Sequence, residues 1–473
     1  MASKSLGIAA LLLLTVATAS MAQLPADTVT QVDRIFTAMN RTDTPGCVLG
    51  VDRDGRELYR KGYGMASIEL GAPLTPLSVL ESGSVAKQFT AAVIVKLAVE
   101  GKLDLDDPVR KYIPELPDYG APVTVRMLIH HTSGIRDMWT LFNLSGETVG
   151  ENLFTMDRSL AMVYRQRELN FPPNSQFLYS NSGYLLLAEL VERVTGRSLD
   201  EYSTKEIFQP LGMTRTRWRS DWNRVVAGRA GAYEPSSDGF AIAAPFMHVY
   251  GAGGLLTTVG DLLIWNRELD RGSLAGPRWI EAMHAKQRLT TGAEIDYASG
   301  IMIGTHRGQR EVQHSGATGG YRTFLARYPD RGLSVAVLCN VANANPVGLG
   351  RQVAGLLLRL PEGTAQAQQG GGPGQGRGAA TSEARFTTPL AAFAGSYYSD
   401  ELDVTYVVSV DDSVLAVQVR GGPKARLTRS SDDSFARSGT GSLRFTKGRN
   451  GRVDGFVMSA GRVQNLKFIK RTS

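Results

Sequence analysis

The stretch Ser78-Val-Leu-Glu-Ser-Gly-Ser-Val-Ala-Lys-Gln-Phe-Thr-Ala-Ala-Val-Ile-Val95 reads as a turn running into a helix. Phe89, Ala91, Ala92, Val93, Ile94, Val95, Leu97, Ala98 and Val99 make that helix apolar on nearly every side, the pattern of a helix buried all round. A lysine in its first turn, Lys87, must then be paired or face a polar cleft. Desolvation penalises its ammonium form and lowers its pKa toward the range of a useful base. Ser84 stands three residues earlier, on the same helix face, with Ser82-Gly83 as the entry turn. A serine at the positive end of a helix also offers a backbone N–H to a developing oxyanion. Taken alone, Ser-x-x-Lys is a short pattern, and a capping serine beside a solvated lysine gives the same letters.

Working outward, Val29 to Met39 reads as helix and Cys47 to Tyr63 as two strands joined at Asp54-Gly55. Helical patterns occupy Lys87 to Glu100 and Gly183 to Thr195, and strands return at Gln313 to Arg327 and Leu333 to Cys339. An opening hairpin, a long helical insertion and closing strands predict an α+β fold, an antiparallel sheet flanked by helices with a helical subdomain. The Gly- and Gln-rich run from Ala365 to Ala380 has almost no core-forming residues and predicts a flexible linker with few contacts across it. Beyond it, alternating strands at 404–410, 414–420, 425–428, 442–446, 455–458 and 463–469 predict a small all-β barrel. The expected division is 1–22 signal peptide, 23–362 first domain, 363–384 linker and 385–473 barrel.

The leader assignment rests on Lys4, an apolar run from Leu6 to Ala19 and small residues before Gln23. That run is roughly 14 residues, short of the ~20 needed to cross a bilayer, so export to the periplasm or medium of a bacterium is expected, with no transmembrane segment. Removing Lys4 takes the formal charge of +7 to +6 (7 − 1) with no long basic run, which argues against nucleic acid as a partner. A chain of 473 residues, 42% hydrophobic and 21% charged, can bury a large core. Cys47 and Cys339, the only cysteines, lie in apolar strand-like runs and read either as two buried thiols or as a disulfide. The six histidines are scattered, without zinc-binding spacing, so no metal or other cofactor is expected.

A serine nucleophile needs polar groups brought from elsewhere in the fold. Tyr179-Ser-Asn181 lies in a polar loop before a helix, and His314-Ser-Gly316 opens a strand. The ordered set Ser84-x-x-Lys87, Tyr179-x-Asn181, His314-x-Gly316 resembles the three motifs of the serine β-lactamase and penicillin-binding-protein superfamily, in its class C-like esterase and D-aminopeptidase branch. Met127 to Ile135 and Gly251 to Asp261 resemble segments common in these hydrolases, and the resemblance covers roughly residues 30 to 357. The C-terminal barrel resembles, more faintly, the lipocalin-like domains appended to some of them.

The resemblance implies that Ser84 forms an acyl-enzyme, with Lys87 and Tyr179 sharing the proton traffic and either able to be the base. It implies that Asn181 holds the substrate amide or Lys87, that His314 and Gly316 bind substrate, and that the oxyanion sits between the N–H groups of Ser84 and Ala317. The implied substrate is an ester or a small peptide or amide, including D-amino-acid peptides. Alternatives are a β-lactamase or D-alanyl-D-alanine carboxypeptidase and, from another class, a non-catalytic sensor of penicillin or peptidoglycan fragments. His314 stands where the family usually keeps a lysine for the substrate carboxylate. A carboxylate bound by His314 is expected to be lost as pH rises through about 6 to 7. His130 and His131 read as capping and packing groups, and most of Trp139, Phe142, Phe154 and Phe171 as core, with any remainder lining a substrate rim.

Overall fold

The computed structural model describes residues 24–148, 150–361, 386–437 and 441–471. The expected signal peptide and linker fall outside them. The central sheet has six strands: β1 (Cys47–Arg53), β2 (Arg56–Tyr63), β3 (Met302–His306), β4 (Gln309–Thr318), β5 (Tyr321–Tyr328) and β6 (Leu333–Cys339). Their order is β3-β4-β5-β6-β1-β2, and every pair is antiparallel. The opening hairpin therefore joins the closing strands through β1 and β6, which places Cys47 opposite Cys339. The two are bonded as a disulfide, which decides between the two readings left open by the sequence.

Alternation along these strands divides the core. Leu49, Val51, Phe324, Val335 and Val337 share one face with Val32, Val353 and Ala354 of the helices Ala26–Ile35 and Pro346–Leu357 and with Phe36, which caps the first. Val48, Leu325, Ala336 and Leu338 face the larger helical side, where Lys87–Val99 and Val259–Arg271 pack with Asn181–Thr195 and its neighbours. The helix Lys87–Val99 has buried residues on all sides, which is why its sequence shows no polar face.

The C-terminal part is a closed eight-stranded barrel, a meander from Gly395–Ser399 to Val463–Arg471, sealed by pairing of the first strand with the last. Phe393, Tyr397, Tyr406, Phe435, Phe445, Phe456 and Phe468 are buried within it.

The expectation of few contacts between the barrel and the first domain is overturned. Arg136, fully buried, pairs with Glu401 of the barrel at 2.7 Å and donates to the carbonyls of Gln464 and Asn465. Gln166 donates to the carbonyl of Glu401, and the Tyr406 hydroxyl donates to that of Leu144. A buried guanidinium has to find its acceptors in protein, and here the barrel supplies all but Gln166 Oε1. A linker's composition sets its own stiffness and carries no information about how the parts it joins dock.

Candidate active site

Ser84 lies on a 3₁₀ turn, Gly83–Ala86, that runs directly into the helix beginning at Lys87. In a 3₁₀ turn residues i and i+3 eclipse, which brings the two side chains together more closely than an α-helical start would. Lys87 Nζ donates to Asn181 Oδ1 at 2.9 Å and to the Ala252 carbonyl at 2.6 Å, and lies within hydrogen-bond distance of Ser84 Oγ at 3.2 Å, where its remaining position can meet the serine hydroxyl. The side chain is wholly buried. That burial pushes its pKa well below the ordinary lysine value, Arg462 lowers it further, and Asp137 opposes the fall.

The Tyr179 ring lies 4.8 Å from Lys87 Nζ. Its hydroxyl is buried and makes no hydrogen bond of ordinary length among the described residues, although Ser84 is near enough to oppose the upward shift that burial imposes on its pKa. Arg462 opposes that shift too. His131 packs against Tyr179 with the rings tilted by 35° and their centroids 4.1 Å apart, and its Nδ1 accepts from the Ser180 N–H, so Nε2 carries the proton. His130 donates from Nδ1 to the Tyr297 carbonyl. His130 stands at the C-cap of the helix Val125–Ile129 and both rings are buried, so the packing expected of them is present while neither imidazole bonds to a helix-end carbonyl.

Of the two uses expected for Asn181, its Oδ1 is occupied by Lys87. Its Nδ2 and its backbone N–H each donate to Asp137 Oδ2 at 2.7 Å. Asp137 also caps the helix Met138–Leu144 through the Thr140 N–H, so one buried carboxylate fixes two helix starts and, through Asn181, the lysine. Sequence reading missed Asp137; an aspartate before an apolar helical run was its one visible signal.

Gly316 on β4 passes against the serine turn. A Cβ at Gly316 would fall 2.1 Å from the Ser82 carbonyl oxygen and 2.9 Å from Ser84 N, and one at Gly83, where φ is +51°, would fall 2.5 Å from Ala317 N. Glycine at both positions lets the two backbone segments meet and brings the main chain of Ser84 and Ala317 into close approach.

His314 is buried at the same cleft, with Nδ1 donating to the Ser315 carbonyl and Nε2 accepting from the Tyr297 hydroxyl at 3.0 Å. Burial first, and then Lys87, lower its pKa to about 4. It is therefore neutral throughout pH 6 to 7. This corrects the expectation that His314 loses its charge there, because its environment is far drier than the reference value assumes. Trp139 lines the cleft, while Phe142, Phe154 and Phe171 are core; Phe177, Phe246 and Tyr297 supply the aromatic rim instead. The cleft encloses about 1980 Å³. Among the described residues no cluster of His, Cys, Asp or Glu is arranged to hold a metal ion, and no helix is long and apolar enough to cross a membrane.

A serine, a desolvated lysine and a buried tyrosine brought together beside an antiparallel sheet are the side-chain set of the β-lactamase and penicillin-binding-protein class. The chain belongs to the β-lactamase family, whose model matches residues 32–358. It is similar to the D-aminopeptidase of Brucella ovis, 29% identical over 307 residues, and spans 64% of its own length and 58% of that relative's. Among solved structures, the octameric penicillin-binding protein homologue from Pyrococcus abyssi aligns over 94% of this chain and 99% of its own, with 25% identity and a TM-score of 0.61. The D-amino acid amidase from Ochrobactrum anthropi shares the fold of the hydrolase part at 19% identity and a TM-score of 0.60, over 70% of this chain and 98% of its own.

Proposed function

We propose that this protein is an exported serine hydrolase that cleaves a small D-amino-acid peptide, amide or ester through an acyl-enzyme on Ser84. The carrying observation is the hydrogen bond between a wholly buried Lys87 Nζ and Ser84 Oγ. A lysine held neutral by burial accepts the serine proton as Oγ attacks the substrate carbonyl. The oxyanion that forms lies between the N–H groups of Ser84 and Ala317. Tyr179, held protonated by burial, donates to the leaving amine or alkoxide and is reprotonated through Lys87; water enters by the same route in reverse to release the acyl group. Lys87 and Tyr179 act as one coupled unit. The choice of D-configured substrates follows the name of the similar D-aminopeptidase.

Ser84→Ala is expected to abolish both turnover and labelling by a fluorophosphonate probe across a panel of nitrophenyl esters, D-amino-acid amides and nitrocefin. Labelling that survives in the variant places the nucleophile elsewhere. Labelling and a single burst without steady turnover in the unaltered protein would favour the sensor instead. Export is tested by N-terminal sequencing of the secreted or periplasmic protein, expected to begin at Gln23.

A further inference from the structure

Resting on the acyl-enzyme reading above, we infer that Arg462, carried by the barrel, binds a carboxylate on the substrate's leaving group, so that the preferred substrate is a peptide ending in a free α-carboxylate. Gly461-Arg462 forms the tight turn between the last two barrel strands, Val453–Ala460 and Val463–Arg471. The turn is clamped to the hydrolase part: Asn170 Nδ2 donates to the Arg462 carbonyl at 3.0 Å, and Asn170 Oδ1 accepts from the Gln464 N–H at 2.7 Å. The Arg462 guanidinium thereby lies over the Tyr179 ring, 4.7 Å from its centroid, and lines the cleft with Ser84.

Among the described residues that guanidinium makes no hydrogen bond. Its one ionic neighbour, Asp137, is 3.8 Å away and already accepts from Asn181 and Thr140. The side chain is 44% exposed, which leaves the planar fork open to a ligand from the cleft.

Position follows from the chemistry. The group that protonates the leaving amine must touch that nitrogen, and in a peptide the α-carboxylate is only two bonds beyond it. A cation stacked on Tyr179 is therefore within reach of that carboxylate. His314 cannot serve as the cation at neutral pH, being buried and neutral. The carboxylates lining the cleft are Glu81, which is tied to Arg219 by two hydrogen bonds, and the exposed Glu234. The cleft thus offers little to a substrate ammonium and an open guanidinium to a substrate carboxylate.

The test uses the full chain, Arg462→Gln and Arg462→Lys, with an N-acetylated peptide ending in a D-amino-acid free acid and the same peptide as its carboxamide. Each is measured as a substrate and as a competitive inhibitor of nitrophenyl acetate hydrolysis, so that the acid-to-amide ratio is read whether or not the peptide is cleaved. The unaltered protein is expected to favour the acid by on the order of 10- to 100-fold, mainly in KM or Ki. Arg462→Gln should bring the ratio to within about threefold of one, and Arg462→Lys should keep part of it. A ratio unchanged in Arg462→Gln, a preference for the carboxamide, or failure of the acid to bind overturns the assignment. Equal losses for acid and amide, which a merely structural turn would produce, also overturn it. If Ser84→Ala abolishes turnover while the ratio ignores Arg462, only this inference falls; if turnover survives Ser84→Ala, the acyl-enzyme reading falls first.

Discussion

On one side of the cleft Lys87 is wholly buried, has three hydrogen-bond partners and springs from a helix packed on every side. On the other, Arg462 is nearly half exposed and reaches in from a two-residue turn of a separate barrel. The first wall fixes a nucleophile and its base 3.2 Å apart, because packing and a fixed turn leave them no alternative. The second wall places a charge on a long side chain, so it can be altered without touching the nucleophile's support. The rigid wall carries the nucleophile and its base, while Arg462 on the adjustable wall is free to meet substrate and also bears on the pKa of Lys87 and Tyr179.

The largest effects should come from the rigid wall. Lys87→Ala and Tyr179→Phe are each expected to lower kcat/KM on the order of 10²- to 10⁴-fold, with the double variant little worse, since the two groups share one proton route. Single-turnover acylation of a nitrophenyl ester measures this. Fully multiplicative losses would separate the pair and place the base on whichever residue costs more.

Next comes the contact that fixes the adjustable wall. Glu401→Ala leaves a fully buried Arg136 without its carboxylate, and breaking one half of a buried pair costs about 3–5 kcal/mol. Urea unfolding should show that loss, and Arg136→Met combined with Glu401→Leu should recover much of it. A loss below about 1 kcal/mol would mean that the barrel is held chiefly by the surrounding apolar contact.

Smaller again is Gly316→Ala. Its added Cβ meets backbone at Ser82 and Ser84 with no flexible side chain to give way, so strain of about 1–3 kcal/mol is expected together with slower acylation. An alanine variant with unaltered acylation would show that the strand and the serine turn can separate freely.

The same division explains what the sequence made legible. Ser84 and Lys87 are neighbours on one turn, and the apolar run after them announces burial, so their partnership could be read locally. Asp137 and Arg462 are brought to them by docking across long stretches of chain, which residue spacing does not encode. The pairing of Cys47 with Cys339 depends on register between the first and last sheet strands and stayed open for the same reason. Strand β3 was missed because it is largely exposed and carries no apolar alternation, and the four-residue barrel strand Ser434–Arg437 was too short to show one.

The smallest effect at neutral pH belongs to His314, and it decides which wall holds the carboxylate. With a pKa near 4, His314 is neutral at pH 6 to 8, whereas a guanidinium is not deprotonated in that range. The acid-to-amide preference should therefore stay flat from about pH 5.5 to 8, and His314→Gln should leave that flatness unchanged. A fall in preference centred between pH 6 and 7, abolished by His314→Gln, would return carboxylate recognition to the sheet wall. Stability supplies an independent check with a definite sign. The folded pKa of His314 and that of His130 both lie near 4, below the ~6.5 of an unfolded histidine. Between those values the unfolded chain binds protons that the folded chain refuses, so stability is lost as pH falls from about 6.5 toward 4, and is fully present above 6.5. His314→Gln should make that acid-side loss shallower while moving the unfolding temperature at pH 7.5 little. An unchanged acid slope would mean that the imidazole is protonated in the folded protein well above pH 4 and could carry charge to the substrate after all.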